Sequence, residues 1–141
     1  MPFLLLIFER EDRTRWSAAQ AREAAAAMTQ FTDELRERGL YLASTPLRPS
    51  AEGARVESRA GRRIVVDGPF AETKEIVGGF ILVDCRTRDE AIALASECPA
   101  AAWSTIEVRE TATSCAGDLD DAPPSPRRDA TSTPEPTPRS A

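Results

Sequence analysis

The chain has 141 residues, with 18 basic and 23 acidic side chains for a net charge of −5, 41% hydrophobic residues, 11 prolines and no histidine. That composition allows one small domain and excludes a nucleic-acid binder, because Arg and Asp/Glu are interspersed where phosphate contacts would need clustered positive charge. Without imidazole there is no His base or triad, and Cys85, Cys98 and Cys115 lack any CxxC spacing, so neither a metal nor a cofactor is expected.

The apolar run Pro2 to Phe8 lacks a basic leader, is too short for a signal peptide, and leads into Glu9-Arg10-Glu11-Asp12. It reads as a strand over 2–8. No stretch reaches the roughly 20 apolar residues of a membrane span, so a cytoplasmic protein with reduced thiols and no membrane partner is expected. Ser17 and Gln20 form a capping box at the head of an Ala-rich run, which predicts a helix over about 18–38 with Gly39 as its left-handed stop. Met28, Phe31 and Leu35 share its buried face.

A strand over 40–46 and a hairpin, 54–59 and 62–66, turned at Ala60-Gly61, come next. A strand over 77–84 follows, then a second helix over 88–97 with Thr87 as N-cap, Glu90 at N3 and Pro99 as its stop. Ala91, Leu94 and Ala95 are its apolar stripe, and a last strand lies over 104–109.

The order β-α-β-(hairpin)-β-α-β predicts an α+β fold, the ferredoxin-like plait, with an antiparallel sheet and both helices on one face. The first and third strands of that plait are central. Both faces are apolar in strand 2–8 (Phe3/Leu5/Ile7 and Leu4/Leu6/Phe8) and in 80–83, whereas Ile106 and Val108 alternate with polar neighbours. Two helices cover one face only. A second copy covering the other predicts a homodimer, and the alternative cover is the hairpin folding back. The domain ends near residue 112; residues 113–141 carry 3 basic and 5 acidic side chains with 6 of the 11 prolines, the composition of a disordered acidic tail.

Between the hairpin and the third plait strand runs Asp67-Gly68-Pro69-Phe70-Ala71-Glu72-Thr73-Lys74-Glu75, continuing Ile76-Val77-Gly78-Gly79-Phe80. Asp67 can cap its own turn, Gly68 tolerates unusual φ, Pro69 ends pairing, and Phe70 pins the loop to the core. Lys74 is the only Lys in the chain. Its amine suits a base of lowered pKa, a Schiff-base nucleophile or an anion's partner, and equally a salt bridge to Glu72 or Glu75. Tyr41 and Trp103, near strand ends, could line a pocket or belong to the core. Arg62-Arg63 could hold an anion or guard a strand edge, and Gly78-Gly79 reads as close backbone packing.

DGPFAETKE with its Gly-Gly-aromatic strand resembles the signature of a bacterial family within the YciI-like superfamily, and the likeness spans about residues 1–110. It implies a dimeric α+β barrel of two facing sheets. The resemblance also implies a regulatory setting near extracytoplasmic-function sigma factors. The His-Asp pair of enzymes in the superfamily cannot be carried over, and Asp67 is the position that maps onto its acidic member. Two functions follow as expectations. One is a small-molecule-binding or regulatory module, with Phe70, Thr73 and Tyr41 at a small anionic ligand and a regulatory protein as a further partner. The other is an isomerase or lyase in which Asp67, Glu72 and Lys74 transfer protons.

Overall fold

The computed structural model describes residues 2–10, 16–70 and 75–112. The expected tail, Cys115, and the motif residues Glu72, Thr73 and Lys74 lie outside the described residues. Residues up to Thr111 form one compact unit.

Strand β1 (Pro2–Arg10) alternates buried and half-buried side chains along its length, as a central strand with one face in a core requires. Helix α1 (Ala18–Glu37) starts at the predicted capping box: Ser17 Oγ accepts from Gln20 N–H at 3.1 Å, and Ser17 N–H donates to Gln20 Oε1 at 2.9 Å. Gly39, at φ 69°, ends it in the left-handed region. Strand β2 is Tyr41–Pro46, and the hairpin strands are β3 (Ala54–Arg59) and β4 (Arg62–Asp67). Ala60 (φ 49°) and Gly61 (φ 78°) both take positive φ, which matches the twist of a two-residue hairpin turn.

Strand β5 (Glu75–Asp84) leads to helix α2 (Arg88–Glu97). Thr87 Oγ1 accepts from Glu90 N–H at 3.2 Å, but the Glu90 carboxylate accepts from Arg86 N–H at 2.8 Å. The cap is therefore shared over two residues instead of closing on Thr87 alone. A 3-10 turn at Pro99–Ala102 follows the helix, and β6 (Thr105–Glu110) completes the chain of elements.

The main sheet has the order β2-β5-β1-β6 and is antiparallel throughout. With the hairpin set aside, this is the expected α+β plait with its first and third strands central. The core lies between sheet and helices: Phe3, Leu5, Ile7, Ile81 and Val83 meet Phe31 and Leu35 of α1 and Ala91, Leu94 and Ala95 of α2. On the sheet's other face Leu4 pairs with Leu82 and Leu6 with Phe80, all half-buried. The hairpin forms a separate two-stranded sheet whose residues are exposed apart from half-buried Ile64, so it does not close that face.

Candidate functional site

The α1 stripe that faces the sheet changes size along the helix. At its C-terminal end Leu35 and Phe31 are buried and Met28 packs on them. Toward the N-terminus the same stripe continues as Ala25, Ala24 and Ala21. Alanines cannot span the gap that leucine fills, and a cavity of about 490 Å³ opens between this half of α1 and the sheet. That size falls within the range of small-molecule sites.

The sheet side of the cavity follows from strand period. Side chains two apart share a face, so the row Phe3-Leu5-Ile7 continues to Glu9, which lines the cavity. The β1–β5 register runs Ile7↔Gly79, then Phe8↔Val77, so Gly78 is the extra residue of a bulge. A Cβ on Gly78 would collide with the Glu9 side chain, and one on Gly79 would come within 2.9 Å of the Thr45 carbonyl oxygen. Both glycines therefore serve close packing, as read from sequence. Ser44, Thr45, Pro46 and Leu47 continue the wall at the β2 edge.

Two tryptophans complete the site. Trp16 precedes the N-cap of α1, the position from which a side chain staples back onto N4, here Ala21. Trp103 follows the 3-10 turn that Pro99 begins after α2. Their rings meet edge to face, with centroids 5.5 Å apart and an interplanar angle of 76°. Among the described residues lining the cavity, Glu9 alone is ionisable.

The residues singled out from sequence are distributed differently. Asp67, at the end of β4, is exposed. Phe70 is half-buried beneath the Arg55 guanidinium, 4.0 Å from its ring centroid, and lies outside the core. The expectation that it pins the loop to the main core is corrected: it packs by the hairpin base, near Gly53. Gly68 has no positive φ; it is required because a Cβ would overlap the Ser50 carbonyl, while its N–H donates to Gly53 O at 2.9 Å. Tyr41 stacks under Arg36 (4.0 Å to its centroid), and its Oη lies 3.0 Å from Ser44 Oγ. The Ser44 hydrogen bond and then the nearby Arg36 hold its phenol below the ordinary tyrosine value.

None of Asp67, Phe70 and Tyr41 lines the cavity, whereas Trp103 does. Glu9 and Trp16 were missed, although the period-2 row and the staple position both mark them in the sequence. Cys85 and Cys98 are buried thiols, and burial pushes both above the ordinary thiol value. Among the described residues no three Cys, Asp or Glu gather as a metal site, and no helix is long and apolar enough to cross a membrane.

Residues 1–113 match the family model described as YCII-related domain. A protein of Rhizobium meliloti (strain 1021), named uncharacterized protein R00369, is 34% identical over 122 residues, which are 84% of this chain and 98% of that protein.

Proposed function

Since the chain belongs to the YCII-related domain family, we propose that it is a homodimeric module of the narrower DGPFAETKE group that binds a small organic molecule between α1 and the sheet. The observation that carries this reading is the cavity itself: two tryptophans, a small-residue helix face and one carboxylate around about 490 Å³. Small-molecule sites take this form, a largely apolar wall with few polar groups to orient the ligand. A regulatory setting beside a sigma factor accords with the motif resemblance. The enzyme reading rests on Asp67 acting with Glu72 and Lys74. Asp67 is exposed at the end of β4 and lies outside the cavity, so binding is the better-supported function.

The dimer rests on the sheet face away from the helices. Leu4, Leu6, Phe8, Phe80 and Leu82 form a contiguous apolar surface there, and the hairpin leaves it open. A second copy turns two such faces into one core, the dimeric α+β barrel. Light scattering during gel filtration should give twice the 15.3 kDa chain mass, and Leu6→Glu should reduce it to one chain. A wild-type monomer at micromolar concentration would remove the barrel from the proposal.

A further inference from the structure

We infer that the cavity takes a neutral, elongated ligand with an aromatic ring at one end and a hydroxyl group at the other, an aryl alcohol, and this rests on the reading of the cavity as the binding site. Sheet order sets its two ends. On the face toward the helices Ser44 of β2 stands opposite Ile81 of β5, Ile81 opposite Leu5 of β1, and Leu5 opposite Val108 of β6, so that three strand spacings, about 14 Å, separate the two edges. The β2 end is the hydroxyl end. Arg36 stacks on Tyr41 and so brings its side of α1 beside β2, and Thr32 and Thr29, which precede Arg36 on that side of the helix, line the cavity together with Ser44. The β6 end is aromatic: Trp103 lies two residues ahead of the strand, with Trp16 edge to face against it.

The hydrogen-bonding state of the first end favours a hydroxyl. Thr29 Oγ1 donates to Ala25 O (3.0 Å) and Thr32 Oγ1 to Thr29 O (2.9 Å), which leaves both oxygens with lone pairs to offer. Between Tyr41 Oη and Ser44 Oγ, 3.0 Å apart, either oxygen can be the donor, so Ser44 presents lone pairs alone in one arrangement and its proton as well in the other. A ligand hydroxyl both donates and accepts and therefore suits either arrangement, whereas an ammonium only donates and a carboxylate only accepts. At the second end the indole N–H groups are donors, and an aromatic ring can meet them through its π face while it packs on the indole rings. Glu9 is the one ionisable side chain lining the cavity among the described residues; it lies against Gly78 and already has an interaction within the protein. A charged ligand would thus give up hydration without finding an uncommitted counter-charge in the wall.

The chain supplies its own reporter, because its only two tryptophans both line the cavity. Full-length protein is titrated with 4-phenylbutan-1-ol, 4-phenylbutylamine, 4-phenylbutanoate and 4-cyclohexylbutan-1-ol, following tryptophan fluorescence and melting temperature. The phenyl alcohol should bind about tenfold more tightly than the amine or the acid, and severalfold more tightly than the cyclohexyl alcohol. Removing the three hydroxyls together, by Thr29→Val, Thr32→Val and Ser44→Ala, should weaken the phenyl alcohol about tenfold. Ala24→Leu, which fills the cavity, should abolish the response to every probe. If the amine, the acid or the cyclohexyl alcohol binds wild-type protein as tightly as the phenyl alcohol, or if the triple variant binds the phenyl alcohol as wild type does, the aryl-alcohol assignment fails while the cavity remains a binding site. If no probe moves the fluorescence, or Ala24→Leu leaves the responses intact, the binding-site reading fails and the assignment with it. Should a variant not fold, the wild-type ranking of the four probes decides the matter alone.

Discussion

The two ends of α1 lie on the same sheet and carry the same helical stripe, yet one end is core and the other is cavity. At the closed end Leu35 and Phe31 meet Leu5, Ile81 and Val83, and Leu5, Leu35 and Val83 are fully buried. At the open end Ala21, Ala24 and Ala25 stand opposite Ile7, Glu9 and Gly79, and the space between them is not filled by protein. Backbone geometry is shared, so side-chain volume decides which half of a layer stabilises the fold and which half is left for a ligand. Three measurements can break this contrast or sharpen it.

The largest effect belongs to the closed end. Leu35→Ala removes a side chain with no exposed surface and should cost about 3–5 kcal/mol, read as a lowered urea midpoint at unchanged slope. A cost near zero would mean that the closed end is as loosely packed as the open one. Second, the buried thiols report whether solvent reaches beyond the cavity. Cys85 and Cys98 have folded-state pKa values raised by burial, so at pH 8 they are held mostly as neutral thiols and react slowly. Mass-spectrometric mapping after iodoacetamide should find both unmodified until denaturant is added, and rapid labelling of Cys98 would show that the cavity opens into the core. The smallest effect is expected at the open end, where Ala24→Leu should change stability by less than about 1 kcal/mol in the same urea titration. A loss as large as that of Leu35→Ala would show a wall already close-packed.

Much of the fold was legible because its signals are local and positive. Ser17 with Gln20, Thr87 with Glu90, the Ala60-Gly61 turn and the doubly apolar strands each name a conformation, and the sheet order follows from which strands are apolar on both faces. The cavity was harder to read because it is a deficit. The alanines of 18–27 signal helix, but it is their small volume that opens the site. Glu9 opens a charged run in the sequence, yet it sits two residues after Ile7 and so belongs to the same face. In the motif, Asp67 carries visible chemistry, whereas the need for glycine at 68 comes from Ser50, a contact that no local pattern announces.

The order β2-β5-β1-β6 has a consequence for how the chain is made. Of the four strands in this sheet the first in chain order is central, and both of its neighbours come later in the sequence: β5 begins at Glu75 and β6 at Thr105. The sheet is closed only when Thr111, whose N–H and hydroxyl both donate to the Pro2 carbonyl, has emerged. Until β5 has emerged this strand, apolar on both faces, has both edges unpaired, and until β6 follows it keeps one edge open, the kind of segment that associates wrongly with other chains. A chain truncated before Thr105 therefore leaves one edge of β1 open and should give a lower soluble yield than a chain truncated after Thr111.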